Sequence, residues 1–267
     1  MTPIINLVLR TARQFNEYLV QSIEQRDPAS SDLQSDLKLM SHLETSLFQN
    51  LMDTLKRGYP THYLAEPGET LREEKEDSWH IYGFDAKDQF CRRLPTACYS
   101  VEHRHKGKTV DAIVINPFSG DEYTASRGKG CALNNRRTRC TNVTAVDQSV
   151  VANNTLTQVP SLRDSQEHAI ELVTSIAQSS KGFSSTGNPM LDCVYVAAGQ
   201  ADAALLTQVD TEALRSALLI CQEAGCLSGT LNGGVIQDSR KRNIAVSNPK
   251  LYKALVQRFS AFDSKLS

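Results

Sequence analysis

A few stretches of this chain carry residue types that do chemistry at spacings that permit it. His103-Arg104-His105-Lys106 sets two histidines two residues apart. On a strand both imidazoles share a face, so they form either a metal-ligand pair or a plain polar strand end. Arg127-Gly128-Lys129-Gly130 contains a G-x-G, but no helix pattern follows it, so a tight turn fits better than a phosphate cradle. Thr186-Gly187-Asn188-Pro189 should open a helix, whose N-terminal amides are either capped by the side chains or hold an anion. Cysteines stand at 91, 98, 131, 140, 193, 221 and 226. None form a C-x-x-C pair and none sit with two histidines at zinc spacing, so they read as buried thiols in a reducing compartment. No nucleophile elbow occurs. Asn142-Val143-Thr144 matches a glycosylation sequon by chance.

Composition narrows the classes. The 267 residues hold 29 Lys+Arg against 30 Asp+Glu, a net charge of −1, which excludes a globally basic nucleic-acid coat. At 40% hydrophobic the chain is too apolar for disorder. It contains no run of 18 apolar residues, and Met1-Thr2-Pro3-Ile4-Ile5-Asn6 lacks a signal-peptide pattern, so a cytoplasmic location is expected. Charge is uneven locally. Residues 101–140 hold eight Lys/Arg against four Asp/Glu, with Arg136, Arg137 and Arg139 clustered. That stretch reads as a solvated hairpin or as a surface for nucleic acid or an acidic partner.

The elements that must position these residues follow from periodicity. Ile5, Val8, Leu9, Ala12, Phe15, Leu19 and Ile23 keep helical spacing over residues 4–24, and Thr2-Pro3 starts that helix. Asp27 to Asp36 reads as a loop. Met40, Leu43, Leu47, Leu51 and Leu55 form one stripe of a second helix, 37–58, ended by Gly58 and Pro60. Strands are expected at 63–65, 79–84, 97–103, 110–115 and 122–126, with an acidic loop between Glu66 and Asp77 and a turn at Asn116–Gly120. Beyond 149 the pattern alternates. Strands are expected near 149–156, 183, 201–207 and 243–247, and helices near 164–178, 188–198, 212–224 and from 249. Interleaved helices and strands predict an α/β layered protein. No linker or repeat interrupts it, so a single unit is expected, with halves of about 1–145 and 146–267.

Several motifs occur in order: Tyr59-Pro60-x-His62, Trp79-His80-Ile81, Arg93-Leu94-Pro95, Lys106-Gly107-Lys108-Thr109 and Thr124-Ala125-Ser126-Arg127-Gly128-x-Gly130. Thr186-Gly187-x-x-x-Leu191-Asp192-x-x-Tyr195-Val196-Ala197-Ala198-Gly199-x-x-Asp202 and Glu223-Ala224-Gly225 follow. Together they resemble the inositol monophosphatase family, in particular its bacterial SuhB branch, over nearly the whole chain. The resemblance implies an α-β-α-β-α sandwich and a homodimer.

It also implies a chemistry, the magnesium-assisted hydrolysis of a phosphomonoester. The ions activate water, clamp phosphate oxygens and neutralise the leaving alkoxide. Such a site needs converging carboxylates, and here most are replaced. The family's Asp-Pro-(Leu/Ile)-Asp-Gly-Thr aligns with Tyr82-Gly83-Phe84-Asp85-Ala86-Lys87, fixed without gaps between Trp79 and Arg93-Leu94-Pro95. Tyr82 stands at the first ligand, Asp85 survives at the second, and Ala86-Lys87 replaces Gly-Thr. Lys87 either reaches Asp85, standing in for metal charge, or lies on the surface. The Glu-Glu pair falls at Glu66-Pro67-Gly68-Glu69 and is broken in either register. Thr-x-x-Asp becomes Ser41-x-x-Glu44, with Glu44 expected on a solvated helical face. The third ligand aspartate is Ala213, the acid that holds inositol hydroxyls is Leu206, and Asp210 and Glu212 lie nearby but out of place.

The expectation is therefore a pseudoenzyme with no catalytic residues and no cofactor. Its vestigial positions are Asp85, Glu66, Glu44 and Ser41; its replaced ones are Tyr82, Ala86, Lys87, Leu206 and Ala213. The SuhB branch implies a binding role, with Nus factors and RNA polymerase or RNA in ribosomal RNA transcription antitermination. The alternative is a weak Mg²⁺-dependent phosphomonoesterase in which Glu44, Glu66, Asp85 and Asp210 rebuild a site. A small-molecule sensor using the vacated cleft is a third possibility.

Overall fold

The computed structural model describes residues 2–25, 32–66, 69, 75–84, 87–158, 162, 165–236 and 241–266. They form two compact units, Met1–Asn135 and Arg136–Ser267. No helix among the described residues is long and apolar enough to cross a membrane.

Two long helices open the first unit. In α1 (Pro3–Glu24) the Thr2 hydroxyl accepts from the Ile5 amide and Pro3 fills the first turn, where a missing N–H costs nothing. Helix α2 (Leu33–Gly58) begins earlier than its apolar stripe, because Asp32 accepts from the amides of Gln34 and Ser35 and caps it. The loop expected up to Asp36 is therefore shorter, and its residues 27–31 lie outside the described ones. Strands β1 (Tyr63–Leu64), β2 (Asp77–Tyr82), β3 (Tyr99–His105), β4 (Lys108–Asn116), β5 (Asp121–Ser126) and β6 (Gly130–Leu133) lie side by side in chain order. Strands β1 and β2 pair parallel, and each neighbouring pair from β2 to β6 is antiparallel. Strand β7 (Arg136–Thr138) opens the second unit. A short helix that the sequence reading lacks, α3 (Lys87–Cys91), links β2 to β3.

Alternation sorts the two faces of β2 and β3. Trp79, Ile81, Tyr99 and Val101 join Ile5, Leu9, Leu43, Leu47 and Leu51 in one core, each fully buried large side chain stabilising by about 1.5–3 kcal/mol. The opposite face pairs Ser78 with Arg104, His80 with Glu102 and Tyr82 with Ser100. That face is polar and mostly buried, which is unusual enough to direct attention to it.

In the second unit the sheet order is β11-β12-β10-β8-β9, built from β8 (Val150–Asn153), β9 (Gly182–Ser184), β10 (Ala203–Asp210), β11 (Leu227–Thr230) and β12 (Lys241–Ser247). After the single turn α4 (Thr155–Gln158) come α5 (Gln166–Ser179), α6 (Pro189–Ala197), α7 (Arg215–Glu223), α8 (Pro249–Phe259) and α9 (Ala261–Lys265). Leu172, Ile176, Leu251, Leu255, Phe259 and Phe262 cover the sheet side that carries Val151, Ala203, Leu205 and Ala245. Helices α6 and α7 pack together, with α6 against β8, β10 and β12. Strand β11 escapes the sequence reading because Leu227-Ser228-Gly229-Thr230 is short and weakly apolar. Helix and sheet in the first unit, with helix, sheet and helix in the second, supply the layers that the α/β expectation required.

Candidate functional site

Glu44, on α2, has its side chain only 13% exposed, so the solvated carboxylate expected there is not what forms. Its Oε1 accepts from the Phe84 amide at 2.7 Å, and its Oε2 is ion-paired with the Lys87 ammonium at the start of α3. Lys87 is itself only 34% exposed, so it is neither a free surface lysine nor a partner shown on Asp85, which lies outside the described residues together with Ala86. A Cβ at Gly83 would sit 2.0 Å from Glu44 Oε1, so only glycine lets the chain pass this close to the carboxylate. Ser41, one turn earlier on α2, is exposed, as is Glu66 after β1. Glu44 and Glu66 nevertheless line one cavity of about 670 Å³ with Phe48, Met52, His62 and Tyr63.

Tyr82 ends β2, and its hydroxyl accepts from Arg104 Nη2 at 2.8 Å. Arg104 grips Glu102 with both arms of its fork, Nε to Oε1 at 2.8 Å and Nη2 to Oε2 at 2.9 Å. The Thr109 hydroxyl also donates to Glu102. This is a bidentate pair inside the sheet's polar face, with the Glu102 carboxylate at 0% exposure.

In the second unit Leu206 is buried on β10, next to a bulge in its pairing with β12. Ala213 lies half-buried in the turn before α7. Glu212 Oε2 pairs with Arg215 Nε at 2.8 Å, and Asp210 Oδ1 accepts from the Glu212 amide at 2.9 Å. Both acids near Ala213 are thus engaged locally.

The described residues at these positions offer few uncommitted oxygens. A hard cation needs several uncommitted oxygens. Where the resemblance places the first and third ligand aspartates stand Tyr82, its phenol bound to a guanidinium, and Ala213; Leu206 takes the place of the acid for inositol hydroxyls, and Glu44 carries an ammonium.

The sequence reading missed one cluster and half-found another. His62, Asp77 and His103 bring their donor atoms within 4.8 Å of one another. His62 Nδ1 accepts from Trp79 Nε1 at 3.1 Å, which leaves its proton on Nε2, the nitrogen facing Asp77. The His62 and His103 rings stack at 5.3 Å and 15°, so their in-plane lone pairs run side by side instead of converging on an ion. His103 turns one ring nitrogen to Asp77 and the other to Asp111, each at 3.1 Å, and His105 Nδ1 reaches the same Asp77 oxygen at 2.9 Å. The His103/His105 pair therefore shares the Asp77 carboxylate.

Those contacts set a pH dependence. Burial pulls the Asp77 and Asp111 carboxyls upward, but hydrogen bonds from His105, His103 and Ser126 outweigh it and hold both below the ordinary 3.8. Carboxyls depressed in the folded state bind protons more readily when unfolded, so their contribution is present above about pH 4 and lost as pH falls further. Thermal unfolding is expected to show a steep stability loss below about pH 4 that Asp77→Asn flattens. Identical slopes in the two proteins would remove Asp77 from that account. Burial likewise lowers the His62 value, in keeping with an Nδ1 that must stay unprotonated to accept from Trp79.

The other sequence candidates resolve simply. Asn188 Oδ1 accepts from the Met190 and Leu191 amides, so Thr186–Pro189 is a helix cap. Gly128 and Gly130 have φ of 74° and 84°, and the G-x-G is the β5–β6 turn. Of the basic residues at 101–140 only Arg104 is buried; Arg136, Arg137 and Arg139 are exposed. Cys98, Cys131, Cys193 and Cys221 are buried, whereas Cys91, Cys140 and Cys226 are only partly so, and none of the seven is in a disulfide.

Among curated relatives the chain is 29% identical to Nus factor SuhB of Pseudomonas aeruginosa over 264 residues, 96% of this chain and 95% of that one. It is 27% identical to Nus factor SuhB of Escherichia coli K12 over 259 residues, again 96% and 95%. Among solved structures the extragenic suppressor protein suhB of Bartonella henselae superposes with a TM-score of 0.78 at 21% identity, over 97% and 98% of the two chains. Inositol monophosphatase II of Staphylococcus aureus superposes at 0.81 and 16%, over 99% and 98%. Both likenesses confirm the layered fold. The family model described as the inositol monophosphatase family matches residues 2–263, and the chain belongs to that family.

Proposed function

We propose that this chain is a binding protein that has given up its family's metal chemistry and acts as a homodimer in transcription antitermination with Nus factors and RNA polymerase. The observation that carries the loss of chemistry is the Glu44–Lys87 pair. A lysine ammonium sits on the carboxylate that would otherwise help to orient water, and the amide of Phe84 takes its other oxygen. Without bound ions, neither water activation nor leaving-group stabilisation has a source. Support for the partner comes from the Nus factor relatives and from the exposed Arg136, Arg137 and Arg139, which suit nucleic acid or an acidic protein surface.

Calorimetric titration with Mg²⁺ is expected to give no saturable binding in the millimolar range, and inositol-1-phosphate is expected to go unhydrolysed. The cavity shared by Glu44 and Glu66 favours a second reading, a weak Mg²⁺-dependent phosphomonoesterase. Turnover that Asp85→Asn abolishes would establish that reading and overturn the first. A pull-down with RNA polymerase and NusA tests the partner separately, and failure to recover either sinks the antitermination role.

A further inference from the structure

Two turns of the first unit's sheet lie at one end of it and carry cations with little acid between them. The pair His105 and Lys108 closes the β3–β4 turn, and the pair Ser126 and Gly130 closes the β5–β6 turn. Because Asp111 on β4 pairs with Ser126, the two turns sit side by side. Arg127 ties them together, its amide donating to the Val110 carbonyl and its Nε to the Thr109 carbonyl, both at 2.8 Å. On the other flank the Lys106 amide donates to the Glu76 carbonyl at 2.8 Å. The sheet end is one tied platform and not two independent loops.

Lys106, Lys108, Arg127 and Lys129 are all exposed on this platform. Of the acids on the same strands, Glu102 is buried on Arg104 and Asp111 is buried on His103 and Ser126. Glu76, at the flank, is exposed. Lys106 and Gly107 have φ of 48° and 72°, both positive as a two-residue type I′ turn requires. Asparagine or glycine suits the first of these positions, so a lysine holds a cation at the tip at a conformational cost. Between Arg127 and Lys129, a Cβ added to Gly128 would meet nothing within 4 Å, so the backbone there is open to a ligand. Neighbouring strands run about 4.8 Å apart, which sets the turns roughly 10 Å from each other. That is the rise of about three stacked phosphates on one strand.

We propose that this sheet end binds the phosphate backbone of a single nucleic-acid strand, independently of its base sequence. The residue types decide between a nucleic acid and an acidic protein. Three of the four cations are lysines and neither turn contains an aromatic residue. Protein interfaces are depleted in lysine and anchored by aromatic residues and arginine, whereas phosphates are neutralised by point charges. With no aromatic platform for a base, the turns position a strand without reading it. The surface uses none of Arg136, Arg137 and Arg139 and needs no RNA polymerase. Its failure and that of the antitermination role therefore appear in different assays.

The test titrates the full-length protein into fluorescein-labelled single strands of RNA and of DNA with one sequence, read by anisotropy over a salt series. Both strands are expected to bind, with a slope of log affinity against log salt near −3 for four neutralised phosphates, at about −0.7 each. Lys106→Asn with Lys129→Gln should weaken binding at least about tenfold at low salt and flatten the slope by about 1.4. Asparagine suits the positive φ of position 106, so this variant keeps its turn. Lys250→Gln with Lys253→Gln removes the same charge from exposed positions on α8 and should change neither quantity. Equal losses in the two double variants, or no saturable binding at low salt, would overturn the proposal and leave a solvated hairpin. A tenfold preference for RNA would put contacts on the 2′-hydroxyl and overturn the phosphate reading. Displacement of the strand by polyglutamate as readily as by unlabelled strand would assign the platform to an acidic protein instead.

Discussion

Replacing Arg104 with alanine is expected to destabilise the protein by about 3–5 kcal/mol, more than any other single change on the sheet's polar face. The Glu102 carboxylate is fully buried, and its compensation comes from the Arg104 fork and the Thr109 hydroxyl. Removing the guanidinium leaves a buried charge with one neutral donor, and Tyr82 loses the donor to its hydroxyl. Arg104→Lys should recover only part of the loss, since an ammonium cannot serve both carboxylate oxygens and the phenol in one plane. Glu102→Gln combined with Arg104→Met should be milder than Arg104→Ala alone, because it removes the charge as well as its partner. Urea unfolding of the four proteins settles the matter. A loss below about 1 kcal/mol for Arg104→Ala would mean that water reaches Glu102 and that the pair is no more than a surface one.

The stripes that define α1 and α2 were legible because each buries one continuous face. Met40, Leu43, Leu47, Leu51 and Leu55 are all buried as their spacing requires. The hairpins from β3 to β5 were legible for the same reason. What escaped was local or long-range. Helix α2 starts at an aspartate cap outside the apolar period, and α3 is too short to show one. At the site, the gapless register sets Tyr82 and Lys87 where the family resemblance expects an aspartate and a threonine. Where the lysine's charge goes was not legible. Its partner Glu44 lies 43 residues away on another helix, and only folding brings the two together. The stack of His62, Trp79 and His103 depends in the same way on β1's approach, β2 and β3 meeting in space.

If Lys87 and Tyr82 are what stand between this chain and magnesium, restoring both should bring the ion back. Tyr82→Asp with Lys87→Thr is expected to gain Mg²⁺ affinity by at least about tenfold over the native protein, or ~1.4 kcal/mol. The double change releases Glu44 from its ammonium and adds a carboxylate at the first ligand position, beside Asp85 at the second. The new aspartate is several ångströms shorter than tyrosine, so it stops short of Arg104, which stays on Glu102. Clustered carboxylates repel one another without a cation, so the variant should unfold more easily than the native protein in chelator and recover as Mg²⁺ is added. Lys87→Met alone is the control for charge. It should lose stability because Glu44 loses its ammonium, and Mg²⁺ should restore little of it, because the first ligand is still a phenol. Thermal unfolding in a Mg²⁺ series reads all three proteins by one method. An equal rise with Mg²⁺ in native and double-variant proteins would show that the ammonium on Glu44 blocks nothing. The proposed loss of metal chemistry would then need a cause other than these two residues.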